Sequence, residues 1–282
     1  MGDYAYAKDV LVETGWLAEH LDDPAIRIVE IDENPALYGE AHIPGAIGLH
    51  WQYDLQDQVR RDFVGPERLC ALLGSHGISS DHTIVLYGDR NNWFAAYTYW
   101  YLKYYGHDRV LLVNGPREKW IAEGRATTAQ APRHAPATFA VAAPDDTIRA
   151  RRDDIHAALG GPTKLVDVRS PQEYSGELIA LTGYEQEGAQ RAGHIPGAIS
   201  IPWAQAVTTT GTFKSRGALE ELYGVKGVLT GDPIISYCRI GERSAHTWFV
   251  LRELLGCEDV RNYDGSWTEW GSLVDVPIEK DV

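Results

Sequence analysis

Cys238 is the residue best placed to do chemistry. It directly follows the apolar run Ile234-Ile235-Ser236-Tyr237 and precedes Arg239-Ile240-Gly241-Glu242-Arg243, after which a helical pattern begins. A cysteine at a strand-to-helix turn has three reasons to ionise. Peptide N–H groups of the turn can point inward as an anion nest, the helix N-terminus adds positive potential, and Arg239 and Arg243 add formal charge. Such surroundings lower a thiol pKa from about 8.5 into the range of roughly 3.5 to 7.5, leaving a nucleophilic thiolate at neutral pH. Gly241 gives the backbone freedom to curl back over the sulfur. The bland alternative is a small hydrophobe at a strand end. Two arginines within five residues and a helix start favour the nucleophile. Cys238 is therefore read as catalytic, with Arg239, Ile240, Gly241, Glu242 and Arg243 as the substrate-binding loop.

The elements that would hold this loop occur twice. His42-Ile43-Pro44-Gly45-Ala46 recurs as His194-Ile195-Pro196-Gly197-Ala198, and the pairs Tyr87/Tyr237, Gly106/Gly256, Gly115/Gly265 and Trp120/Trp270 all keep one offset of 150 residues. That period is too long for a solenoid and fits duplication of a whole domain. Short apolar runs at Arg27–Ile31, His82–Tyr87, Arg109–Val113, Lys164–Val168 and Asp232–Tyr237 have the length of buried parallel strands. Pro66–His76, Asn92–Tyr105 and Arg243–Leu255 carry apolar residues at helical spacing. The expectation is an α/β fold of two tandem domains, each a mainly parallel sheet flanked by helices, with ligands beyond the carboxyl ends of the strands. The boundaries fall at 1–125 and 148–282, joined by an Ala/Pro/Thr-rich linker over 126–147. At the repeat offset Gly88 stands for Cys238, Asp89 for Arg239 and Trp93 for Arg243, so the first copy reads as inactive and the second as catalytic. His42 and His194 recur in both copies, which argues for a turn-stabilising role. Cys70 and Cys257 lack a cationic loop and read as buried structural thiols.

The chain resembles the two-domain rhodaneses, thiosulfate sulfurtransferases, over almost its full length. Tyr38-x-x-x-His42-Ile43-Pro44-Gly45-Ala46 is similar to the family's N-terminal signature. Val260-x-x-Tyr263-Asp264-Gly265-Ser266-Trp267-x-Glu269-Trp270 is similar to its C-terminal one. The resemblance implies a persulfide-forming cysteine in the second copy, transfer of the sulfane sulfur of thiosulfate to cyanide or a thiol acceptor, and release of sulfite. It implies no metal or organic cofactor. It also places Asp167 and Arg169 in support near the active loop, and Trp93 and Phe94 as an apolar wall. At Glu173 it departs from a substrate-binding arginine of the vertebrate enzymes. Rivals separate at the loop. Dual-specificity phosphatases use Cys, five residues and Arg, whereas four residues lie between Cys238 and Arg243 here. Mercaptopyruvate sulfurtransferases carry a small residue after the cysteine, and the two cations suit the thiosulfate dianion better. A sulfur-relay module loaded only by protein partners is the third alternative. The 175–192 insertion, long and mostly polar, receives no role.

Composition narrows the partners. Twenty-six Lys+Arg against 40 Asp+Glu give a net charge of −14, which disfavours nucleic acid and anionic membrane. No apolar run is long enough to span a bilayer, and the start lacks the pattern of a secretory signal. Three cysteines without CxxC spacing argue against a disulfide framework or a structural zinc site. The expected setting is cytoplasmic, the partners a small sulfur donor and a thiophilic acceptor.

Overall fold

The computed structural model describes residues 5–281, apart from the Gln186 side chain. The chain divides into two compact units, one of Val10–Asp145 with Thr209–Phe213, the other of residues 5–9 with Asp146–Thr208 and the chain from Lys214 onward. Five strands form the first sheet: β1 (Leu11–Val12), β2 (Ile26–Glu30), β3 (Ile47–Gly48), β4 (Thr83–Tyr87) and β5 (Val110–Val113). Five more form the second: β6 (Arg149–Ala150), β7 (Lys164–Asp167), β8 (Ile199–Ser200), β9 (Ile234–Tyr237) and β10 (Val260–Tyr263). The orders are β1-β5-β4-β2-β3 and β6-β10-β9-β7-β8, the same topology twice, with parallel pairing throughout.

Each central strand, β4 or β9, is buried along its apolar residues, as a strand covered on both faces must be. Leu17, Ile28, Ile43, Val85, Tyr87 and Trp120 pack in one core, and Ile155, Leu165, Ile195, Ile235, Tyr237, Trp267 and Trp270 in the other. The duplicated turn has a duplicated task. Tyr87 and Tyr237 end the central strands, and their hydroxyls accept the N–H groups of Ile43 and Ile195 at 2.9 and 3.1 Å. His42 and His194 stack on Tyr38 and Tyr174, and each Nδ1 lies within 2.8 Å of the same tyrosine's carbonyl. Both histidines thus brace the turn that seats the central strand.

Two helices differ from their sequence pattern. The helix Trp93–Tyr104 is buried on every face except at Lys103, where the spacing predicts an amphipathic one. Phe94 stacks on Trp51, with ring centroids 4.4 Å apart, and both Trp93 and Phe94 are buried. The helix after Cys238 starts at Glu242 and runs to Phe249, then gives way to a π-helical turn over Val250–Leu254. Its start lies before Arg243 because Gly241, at φ 97°, takes the left-handed conformation that turns the chain into the helix. Glu242 and Arg243 therefore belong to the first helical turn. Cys70 and Cys257 are half-buried, not fully enclosed.

Candidate active site

Cys238 is the first residue past β9, the middle strand of its sheet, so the fold sets its sulfur at a carboxyl edge. The loop it begins is held from the side by the turn after β10. Ser266 Oγ accepts the Cys238 N–H at 3.1 Å and donates to the Tyr263 carbonyl at 2.6 Å. The Trp267 and Thr268 N–H groups donate to the carbonyls of Cys238 and Arg239, and Asn262 Nδ2 donates to that of Gly241. A Cβ on Gly241 would lie 3.0 Å from the Asp264 backbone, so close approach as well as φ requires glycine there. These contacts explain why the Tyr-Asp-Gly-Ser-Trp segment accompanies the cysteine: it is the clamp on the loop.

Around the sulfur, the Gly241 N–H donates to Sγ at 3.2 Å, and the thiol donates to Glu242 Oε2 at 3.3 Å. Cys238 is completely buried. Burial raises its pKa above the ordinary thiol value and the Glu242 carboxylate raises it further, while Arg243 and hydrogen bonds from Ser244 pull it down. This corrects the expectation of a lowered thiol pKa. The expected anion nest is present in the Gly241 N–H, but desolvation and a facing carboxylate outweigh it, and the protein's own acids compensate both loop arginines.

Arg243 forms a bidentate pair with Glu173, both contacts at 3.1 Å and both side chains buried. Burial opposes the charges of this pair. The attraction more than offsets it, raising the arginine and holding Glu173 at about 2. Glu173 is fixed in turn by a capping box with Ser170 at the start of the helix Pro171–Ser175. Arg239 Nη2 contacts Glu187 at 2.7 Å and Glu242 at 3.3 Å, and its guanidinium lies 4.2 Å from the centre of the Tyr184 ring. Arg169 and Asp167 pair with each other, Nη2 to Oδ2 at 2.5 Å, both with fully buried side chains. Arg169 also donates to the Gly193 carbonyl and lies over Trp267. Asp167 thus braces Arg169 and does not reach for loop donors.

The structure brings Cys238, Arg239, Gly241, Glu242 and Arg243 into one buried cluster with Ile240 buried beside them, and the Asp167–Arg169 pair reaches it through Trp267, whose N–H holds the Cys238 carbonyl. Sequence reasoning gave no role to Glu173, to Tyr184 and Glu187 in the insertion, or to Ser266 within the signature that contains it. The Ser170-x-x-Glu173 spacing is a legible capping signal, whereas Tyr184 and Glu187 lie in a stretch without periodicity. Among the described residues, no group of three or more His, Cys, Asp or Glu could hold a metal ion.

Two parallel five-stranded domains with a loop-borne cysteine define the class, and comparison with known proteins gives the family. The rhodanese-like domain matches residues 13–123 and 151–273, and the chain belongs to that family. It is 54% identical over 276 residues to the "Sulfur carrier protein TtuD" of Thermus thermophilus, covering 96% of this chain and 97% of that one. It is 53% identical over 285 residues to a Haloferax volcanii protein named "Putative thiosulfate sulfurtransferase", covering 99% of each. Among solved structures, an anaerobic ergothioneine biosynthesis enzyme of Chlorobium limicola, crystallised with trimethyl histidine, superposes with a TM-score of 0.83 at 25% identity. That match covers 97% of this chain and 70% of the enzyme.

Proposed function

We propose that the protein is a thiosulfate sulfurtransferase that works by double displacement, with the second domain as the catalytic one. The observation that carries this reading is the position of the Cys238 sulfur, buried between the Gly241 N–H and the Glu242 carboxylate in a tightly clamped loop. As donor binds, the thiol proton passes to Glu242. The thiolate then attacks the outer sulfur of thiosulfate, a Cys238 S–S bond forms, the donor's S–S bond breaks, and sulfite leaves with the electron pair. The terminal persulfide sulfur takes the negative charge, stabilised by the loop N–H. A nucleophilic acceptor, cyanide or a thiol, attacks that sulfur and returns Cys238 as thiolate, which recovers the proton from Glu242. Arg243 holds the loop through Glu173, leaving Arg239 as the cation for the donor's sulfonate end. A reducing, cytoplasmic setting suits a reaction that needs a free thiol.

The name of the Haloferax volcanii relative supports thiosulfate as donor. The name of the Thermus thermophilus relative favours a second reading, in which the Cys238 persulfide is handed to a protein. Steady-state assays with cyanide as acceptor separate the possibilities. The expected result is multiple turnover with thiosulfate, slower turnover with mercaptopyruvate and none with an aryl phosphate. A preference for mercaptopyruvate would overturn the donor assignment, and a single turnover with every donor would favour the relay.

A further inference from the structure

The 175–192 insertion is tied to the loop that carries Cys238. Trp267 Nε1 donates to the Arg191 carbonyl at 3.0 Å, Thr268 Oγ1 donates to that of Glu187 at 2.8 Å, and Arg169 holds Gly193 just beyond. These anchors present two side chains to Arg239, the Tyr184 ring against its guanidinium and the Glu187 carboxylate at Nη2. Arg239 is 2% exposed, yet its Nε and Nη1 have no hydrogen-bond partner among the described residues. Buried guanidinium N–H groups without acceptors are costly unless a ligand completes them.

The geometry of the guanidinium fixes what that ligand must do. An oxyanion binds arginine best through two parallel N–H donors, and each such edge of the group, Nε with Nη2 or Nη1 with Nη2, includes Nη2. Nη2 is the atom that Glu187 and Glu242 share. Glu242 belongs to the cysteine loop, whereas Glu187 comes from the insertion and is 28% exposed, so Glu187 is the one able to leave. We infer that Glu187 is a specificity-determining gate: it occupies Arg239 as an internal substitute for the donor's anionic end, and a tetrahedral oxyanion gains its two-pronged contact only by displacing it. Tyr184 keeps the guanidinium plane in place during the exchange. A monoanion recovers too little to displace a carboxylate, so the gate selects for dianions. The inference rests on the reading of Arg239 as the donor's cation.

Sulfate, a dianion with no transferable sulfur, tests the gate apart from catalysis. Calorimetric titration of the full-length protein with sulfate should give roughly two- to five-fold tighter binding in Glu187→Gln than in wild type, the range expected for release of one partly exposed ion pair. In an Arg239→Gln background the same substitution should change sulfate affinity by less than about two-fold, because the two residues act as one unit. Unchanged or weaker binding in Glu187→Gln would overturn the gate, and so would equal tightening without Arg239, which would mark a general effect of charge. Failure of the wild type to gain a sulfur from thiosulfate, read by intact mass, would overturn the transferase reading and leave the sulfate comparison standing on its own.

Discussion

The two domains share strand order, the His-Ile-Pro-Gly-Ala turn and the tryptophan helix after the last strand, yet they part at one point, the tip of the central strand. In the second domain Cys238 begins a loop whose single left-handed residue is Gly241 and which the turn after β10 holds from the side. In the first, Gly88 begins a loop with three successive left-handed residues, Arg90, Asn91 and Asn92. The Asn92 carboxamide accepts the Gly88 N–H and donates to the carbonyls of Val113 and Gly115, so an amide fixes that loop from within. A Cβ at Gly88 would stand 2.0 Å from the Ile31 carbonyl oxygen. The first loop has therefore lost not only its cysteine but the space for one. Charge is inverted as well. The second domain sets Arg169 beside Asp167, whereas the first puts Asp32 at the matching place, near Glu30 and Asp89, and supplies a cation through Arg117, 3.5 Å from Glu30. Burial, then Glu30 and Asp89, push Asp32 up to about 9, and an acid-lined cavity of about 250 Å³ opens beside it. A duplicated fold keeps its frame because the frame is core packing, while the loop tip is free to diverge.

The sharpest way to break this comparison is to unpair the second loop. Arg243→Met leaves Glu173 buried without its partner and should cost about 3–5 kcal/mol, seen as a large fall in Tm, with Glu173→Gln in the same chain restoring part of it. An unchanged Tm would mean that the pair does not hold the loop. Gly88→Cys probes the first domain. It should destabilise by about 3 kcal/mol through backbone overlap and gain no sulfur from thiosulfate when Cys238 is serine. A stable, sulfur-loaded Gly88→Cys protein would show that the two loop tips are interchangeable. Glu242→Gln should slow sulfur loading at pH 7 about 10- to 100-fold, because the proton acceptor is gone. Removing the carboxylate also lowers the thiol pKa, so the deficit should shrink as pH rises; a pH-independent deficit would argue against Glu242 as base.

The smallest effect is a contrast in pH dependence between the domains. Glu173 is held at about 2 against an ordinary 4.5, so its stabilisation is complete above 4.5 and fades as pH falls toward 2, with about 1 kcal/mol lost by pH 4. Asp32 is raised from 3.8 to about 9, so the stability it favours is complete below 3.8 and fades as pH rises toward 9. Hydrogen exchange resolved by domain should show the second domain loosening as pH falls below about 4.5 and the first loosening as pH rises from about 4 toward 9. The same trend in both would contradict the assignment of the two acids.

Much of this was legible in the sequence because repetition made the chain its own control. The 150-residue offset recurs in the hydrogen bonds: the Arg117 N–H donates to the Gly88 carbonyl as the Trp267 N–H donates to that of Cys238. The β-branched runs marked strands to within a residue or two, since burial on both faces leaves a nearly continuous apolar signal. Electrostatics was not legible. Counting Arg239 and Arg243 as positive potential near Cys238 overlooked the pairing of Glu173 and Glu187, which lie 65 and 51 residues upstream of the cysteine and meet the arginines only in the folded chain. Nor could composition show that the thiol is fully enclosed, and burial is the largest cause of its raised pKa.

The central claim is that the Cys238 sulfur accepts one sulfur atom from thiosulfate. Intact mass of the protein after exposure to thiosulfate and removal of excess donor tests it directly. The account predicts a gain of a single sulfur, localised to the peptide containing Cys238, lost on adding cyanide and absent from Cys238→Ser. A gain that persists in Cys238→Ser, or that maps to Cys70 or Cys257, would contradict it.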